Sequence, residues 1–229
     1  MQVQNAKYIS KARRIQIDDE ATTLLIALWR KNSPARPLDV VSPGTALEYL
    51  GYTVDSRDLG QEYIDGAMNN VAGIINFDKK VVSISTRVSF EVQFFTAAHE
   101  LGHAILHPGQ NGLHRDRPAK GPSIRTDVKE VEADYFASCF LMPEKILRRN
   151  FEERFLADKV VLDQKTAFGL YNVGVSGLRS NIRSDRDFSR IVAECIYYNG
   201  VRFSSLKKDY FVSTEAMAIR LEELLLVAM

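Results

Sequence analysis

The chain has 229 residues, 45% of them hydrophobic and 26% charged, enough for a substantial core in one domain or in one domain with a smaller second one. The 30 Lys and Arg against 29 Asp and Glu leave a formal net charge of +1, so the basic excess typical of nucleic-acid binders is missing from the total. The N-terminal MQVQNAKYISKARR lacks the apolar core of a secretory signal, and no stretch reaches the roughly 18 apolar residues of a membrane span, so a cytoplasmic location is expected.

Residues 1–16 read as a polar arm. From about Ile17 to Lys31 the residues Leu24, Leu25, Ile26, Leu28 and Trp29 recur at helical spacing, with Trp29 expected in the core. Asn32–Pro37 is a break rich in turn formers. Ser42 and Pro43 start a second helix that runs to about Leu50 and stops at Gly51; Tyr52–Val54 then reads as a strand. Residues 71–86 read as a hairpin, with Ala72–Phe77 going out, Asp78-Lys79-Lys80 turning and Val81, Val82, Ile84 and Thr86 returning. A long helix is expected from about Phe90 to His107, capped by Ser89. Residues 108–126 read as a loop, Val128 to Leu141 as a second long helix stopped by Pro143, residues 144–206 as several short helices, and Thr214 to Val227 as an amphipathic helix. Cys139 and Cys195 lie in apolar surroundings without a CxxC spacing, which predicts two buried free thiols in a reducing compartment.

One motif stands out. His99-Glu100-Leu101-Gly102-His103 is an HExxH sequence on a predicted helix. Residues i and i+4 share one helical face, so two imidazoles there can grip one Zn²⁺, and the glutamate beside them can take a proton from water. With four histidines in the chain, a chance match is expected in roughly 0.5% of such sequences. Phe94, Ala98, Leu101 and Ile105 form an apolar stripe, which predicts that the histidines occupy a separate face.

A catalytic zinc takes a third protein ligand and water. His107 is carried too far along the axis of a straight helix to share the same ion. His114, in the loop, is one candidate; the second helix, KEVEADYFASCFLMP, holds Glu130 and Glu132. At about 100° per residue, Glu130, Asp134 and Ser138 share one polar edge, whereas Glu132 points roughly 160° away from Asp134. Glu130 is therefore preferred as ligand, with Asp134 behind it to accept the second N–H of a ligand histidine. The competing reading of Glu130 is a capping box with Asp127.

The segments FTAAHELGHAILHP (95–108) and EVEADYFASCFLMP (130–143) resemble the ImmA/IrrE family of metallopeptidases, and the closing DYFVSTEAMAIRLEELLLV is similar to that family's last segment. The resemblance implies an α+β, mostly helical zincin-like core with a small antiparallel sheet before the HExxH helix. It implies one Zn²⁺ per chain held by His99, His103 and Glu130, with Glu100 as catalytic base and Asp134 as support. The organisation expected is an arm over 1–16, a metallopeptidase domain over 17–145 and a helical region over 146–229 with a helix-turn-helix-like end. Residues 144–206 depart from the family pattern. The substrate class implied is a regulatory protein, a helix-turn-helix repressor or antitoxin-like regulator, in the control of a mobile element or a stress response.

The expected mechanism is hydrolysis of a peptide bond by metal-activated water, with Tyr135, Arg125 and His114 as candidate oxyanion donors. Two rivals come from other classes. One is a zinc-containing regulator that binds without cutting. The other is a DNA-binding protein, since VSTEAMAIRLEEL and, with basic residues, 166–183 have a helix-turn-helix cadence; the competing reading is that both are ordinary helical hairpins packing on the core.

Overall fold

The structure, a computed structural model, describes residues 9–64, 67–108, 113–116, 127–171 and 182–229, of which 64, 67, 113–116 and 171 by backbone alone. The chain forms two compact units, 1–141 and 142–229. The fold is α+β.

In the first unit, helix α1 spans Lys11–Asn32. It begins six residues before the expected Ile17, because Ser10 caps it: the Ser10 hydroxyl accepts from the Arg13 N–H at 3.2 Å. The stretch read as an arm is thus helical from Lys11 onward. Ile17, Ala21, Leu24, Leu25 and Leu28 form its buried stripe, while Trp29, expected in the core, is 40% exposed. Ser33 ends the helix in the left-handed conformation, its N–H donating to the Trp29 carbonyl. After a short 3-10 turn at Pro37–Val40, α2 spans Pro43–Tyr49 with Ser42 as N-cap.

Strands β1 (Thr53–Arg57), β4 (Gly73–Asn76), β5 (Val81–Ser85) and β6 (Leu113–Asp116) form one sheet in the order β1-β5-β4-β6. β2 (Gln61–Ile64) and β3 (Ala67–Asn70) pair separately. The 71–86 hairpin forms as expected, with Asn76 opposite Val81 and Gly73 opposite Ile84. Two features differ from the sequence reading. The sheet is mixed, since β1 runs parallel to β5. Its fourth strand, β6, comes from the segment read as loop and follows the HExxH helix; it satisfies the backbone edge of β4 that would otherwise lack partners.

Helix α3 spans Phe90–Leu106 and α4 spans Val128–Leu141. Ser89 holds the N-cap position of α3 but makes no side-chain cap bond; Gln93 instead donates to the Val88 carbonyl. α3 packs on β4 and β5 on one side and on α4 on the other, and α4 also packs on α1.

The second unit is built from α5 (Glu144–Phe155), α6 (Gln164–Tyr171), α7 (Asp185–Glu194), α8 (Leu206–Asp209) and α9 (Thr214–Glu223). Strand β7 (Val160–Val161) and strand β10 (Val227–Ala228) pair in parallel, and β8 (Tyr197–Tyr198) pairs with β9 (Val201–Arg202). The last helix is shorter than the predicted 214–227: Leu225 takes a positive φ of 57°, which turns the chain into β10. Cys139 is buried and Cys195 partly so, both as free thiols.

Candidate metal centre

α3 and α4 carry the site, and glycine permits their spacing. A Cβ built on Gly102 would stand 3.1 Å from the Cα and O of Ala133 and 3.3 Å from the Cβ of Phe136. Packing this tight leaves no room for a methyl group without displacing one helix. Every residue of α3 from Thr96 to His103 is buried. His99, Glu100 and His103 are no more than 1% exposed, as enclosed as Ala98 and Leu101 of the apolar stripe. The face that carries the histidines, separate from the apolar stripe, is therefore itself buried. That face is covered by α4 and by the sheet.

His99 and His103 bring their Nε2 atoms within 3.0 Å of each other. Glu130, in the first turn of α4, turns its carboxylate toward both: Oε2 lies 3.5 Å from His99 Nε2 and Oε1 lies 3.3 Å from His103 Nε2. The three ligating atoms all fall within 4.8 Å of one another. Ligands about 2.0–2.1 Å from a tetrahedral ion stand about 3.3 Å apart, so these spacings fit one small cation. Two imidazoles and a carboxylate are also a donor set suited to a borderline divalent ion.

The second nitrogen of His99 is held too. Its Nδ1 lies 2.8 Å from Oδ1 of Asp134, one turn beyond Glu130 on α4. With the proton on Nδ1 and donated to that carboxylate, the Nε2 lone pair points at the shared position. Asp127, the rival explanation for Glu130, caps α4 through its own carboxylate, which accepts from the Lys129 N–H at 2.9 Å.

Glu100 faces β4. A Cβ on Gly73 would stand 2.8 Å from Glu100 Oε1 and 2.4 Å from Thr96 Cγ2, so the strand's backbone runs directly against the buried carboxylate. A glycine inside an apolar strand is a signal of close backbone approach, and Gly73 in VAGIIN carried it unread.

The remaining candidates divide as follows. His107 stays outside the cluster, with Nε2 3.3 Å from the Lys129 carbonyl and 3.8 Å from Glu132 Oε2; burial pushes its ring below the usual histidine range. Tyr135 has its ring under the Arg14 guanidinium of α1, 5.2 Å from the centroid. His114 lies on β6 opposite Ile75, its side chain outside the described residues, as is Arg125 entirely. Glu132, the glutamate set aside as ligand, is buried and gripped from α1: Arg13 Nε donates to Oε1 at 2.8 Å and Nη2 to Oε2 at 2.6 Å. That grip holds the Glu132 carboxyl below the usual carboxylate range against the opposing effect of burial. No periodicity signals a partner 119 residues away, so sequence reading missed Arg13.

An α+β fold that encloses two imidazoles and a carboxylate on facing helices, with a glutamate beside them, has the donor set of a candidate metal centre of the kind metal-dependent hydrolases use. Residues 47–168, more than half of the chain, match the peptidase M78 family, described as the IrrE N-terminal-like domain. The chain belongs to this family, the ImmA/IrrE metallopeptidases. It is also similar to "Uncharacterized immunity region protein 2" of Bacillus phage phi105, 29% identical over 97 residues that cover 41% of this chain and 59% of that protein. The match thus spans less than two thirds of the phage protein's length. Among the described residues, no helix is long and apolar enough to cross a membrane.

Proposed function

We propose that the chain is a zinc-dependent endopeptidase that hydrolyses a peptide bond in a regulatory protein. The observation that carries this reading is the convergence of His99 Nε2, His103 Nε2 and a Glu130 carboxylate oxygen within 4.8 Å, in a buried site on a peptidase-family fold. In this reading His99, His103 and Glu130 hold one zinc ion. When bound, that ion supplies Lewis acidity, which polarises the scissile carbonyl and acidifies a water molecule. Glu100 accepts the proton of the attacking water and delivers it to the leaving amine. Burial suits it to that work, since a carboxylate enclosed by α3 and β4 meets little competing solvent. Asp134 keeps the proton of His99 on Nδ1, so that Nε2 remains a ligand.

The substrate class in this reading is a helix-turn-helix repressor or an antitoxin-like regulator. What supports it is the family and a relative named for the immunity region of a phage. The decisive experiment pairs elemental analysis with cleavage of a co-expressed candidate repressor. Wild type is expected to carry about one zinc per chain and to cut the repressor, and Glu100→Gln to keep the metal and lose the cut. A Glu100→Gln chain that still cleaves removes Glu100 from its role. A wild type that holds zinc but leaves every cognate regulator intact supports a regulator that acts by binding.

A further inference from the structure

We propose that Arg13 of α1 is a positioning residue for the metal centre, acting through Glu132 to set the rotation of α4 and hence the place of the Glu130 carboxylate. The inference rests on the metal-centre reading above and deepens it.

Glu130 and Glu132 are two residues apart on α4, about 200° around its axis. One carboxylate meets the histidines of α3, with contacts of 3.3 and 3.5 Å; the other meets α1, in a two-bond fork of 2.8 and 2.6 Å. The helix is thus held from nearly opposite sides. Rotation is the freedom that matters here. A carboxylate about 6 Å from a helix axis moves about 1.5 Å when the helix turns by about 15°, while a metal site tolerates about 0.5 Å. Apolar packing between α1 and α4 is non-directional and resists such a turn weakly. A bidentate guanidinium–carboxylate pair fixes both distance and plane.

Three further contacts place this grip at the right level of the helix. Glu132 Oε2 lies 3.8 Å from Nε2 of His107, one turn beyond the His103 ligand on α3. His107 Nε2 also lies 3.3 Å from the Lys129 carbonyl, in the first turn of α4. Arg14, next to Arg13, covers the Tyr135 ring at 5.2 Å, so consecutive arginines of α1 hold positions three apart on α4. Arg13 itself is anchored at the start of α1, where its N–H donates to the Ser10 cap. Near the Glu130 end of α4, all three helices therefore meet at Glu132, and the side chain that α1 contributes is Arg13.

A purely structural ion pair would lower stability on removal and leave the metal affinity of the folded chain alone; a positioning pair would not. The test is Zn²⁺ affinity by chelator competition, together with the visible absorption of the Co²⁺ form, for chains verified as folded by circular dichroism. Arg13→Ala and Glu132→Gln are expected to bind Zn²⁺ about tenfold more weakly than wild type and to change the Co²⁺ spectrum, the scale seen for residues that orient metal ligands. Arg13→Lys keeps the charge but loses the fork, so it should fall between. The double variant Arg13→Ala/Glu132→Ala should lose no more affinity than the worse single variant. Arg36→Ala, which breaks an exposed pair with Asp39, and Leu28→Ala, which destabilises the far end of α1, should both bind as wild type. A folded Arg13→Ala chain with wild-type affinity and spectrum overturns the proposal. If that variant does not fold, a folded Arg13→Lys with wild-type affinity overturns it instead. A wild-type chain that takes up no metal overturns the metal-centre reading itself, and the two failures are told apart by that single sample.

Discussion

In the unit of residues 142–229, polar side chains between helices come in complementary pairs. Arg186 on α7 forks onto Glu222 of α9 at 2.7 and 2.8 Å and also bonds Glu215. Glu194 receives Lys207 Nζ at 2.7 Å and the Thr214 hydroxyl at 2.5 Å. Arg220, 1% exposed, donates Nε to the Met142 carbonyl at 3.2 Å and faces Glu223. Each contact joins a donor to an acceptor, and the pairing holds Arg186 above its usual range. In the unit of residues 1–141 three polar groups, two on α3 and one in the first turn of α4, do something else. His99 Nε2, His103 Nε2 and the Glu130 carboxylate, three Lewis-basic atoms, converge on one point. Paired opposites complete themselves and lock helices together, whereas converging bases are an arrangement that a cation stabilises. The difference separates architecture from site without reference to any pocket.

That contrast can be broken by mutation, beginning where the effect should be largest. His103→Ala and Glu130→Ala should each weaken Zn²⁺ binding by more than about a hundredfold, beyond the range for residues that only orient ligands. Elemental analysis after dialysis measures this, and tight zinc in Glu130→Ala would take the carboxylate out of the set. Asp134→Asn should cost about ten- to a hundredfold in zinc affinity, because the amide accepts the His99 Nδ1 proton less well and no longer fixes the tautomer. Competition titration reads it, and an unchanged affinity would reduce Asp134 to a bystander. Arg186→Ala should behave oppositely: a stability loss of about 2 kcal/mol in urea unfolding, from loss of the fork onto Glu222 and of the bond to Glu215, with zinc affinity as in wild type. Weakened zinc binding in that variant would show that the two kinds of polar arrangement are not separable.

The smallest expected effect is a pH dependence. The Arg13 fork lowers the folded-state pKa of Glu132 below the unfolded value of about 4.3. A depressed carboxylate contributes stability that is full above the unfolded pKa and is lost as pH falls through the folded one. For a partly buried pair this is about 1 kcal/mol. The urea midpoint of wild type should therefore exceed that of Glu132→Gln at pH 7, and the gap should shrink as the pH drops below 4. A gap that persists under acid would mean that packing, not charge, accounts for the contribution of Glu132.

The sequence by itself determined the local parts of this protein. HExxH spacing put His99 and His103 on one face of α3, the D/E phasing of α4 separated Glu130 from Glu132, and Ser42-Pro43 and the 71–86 turn marked α2 and the β4–β5 pair. These are short-range regularities, written in periods of two and 3.6 residues and in cap chemistry. Others were missed because their cause is distant. The arm became helix once Ser10 capped it, and β6 emerged from an apparent loop to pair with β4. The last helix stopped at Glu223, where the chain turns to set β10 against β7. The tertiary structure alone decided that the metal-centre face is buried, that Gly102 and Gly73 admit a helix and a strand, and that Arg13 reaches Glu132 across 119 positions of sequence. The physical reason is common to all three. Close approach and ion pairing depend on which surfaces meet, and that is a property of packed elements and not of any window along the chain.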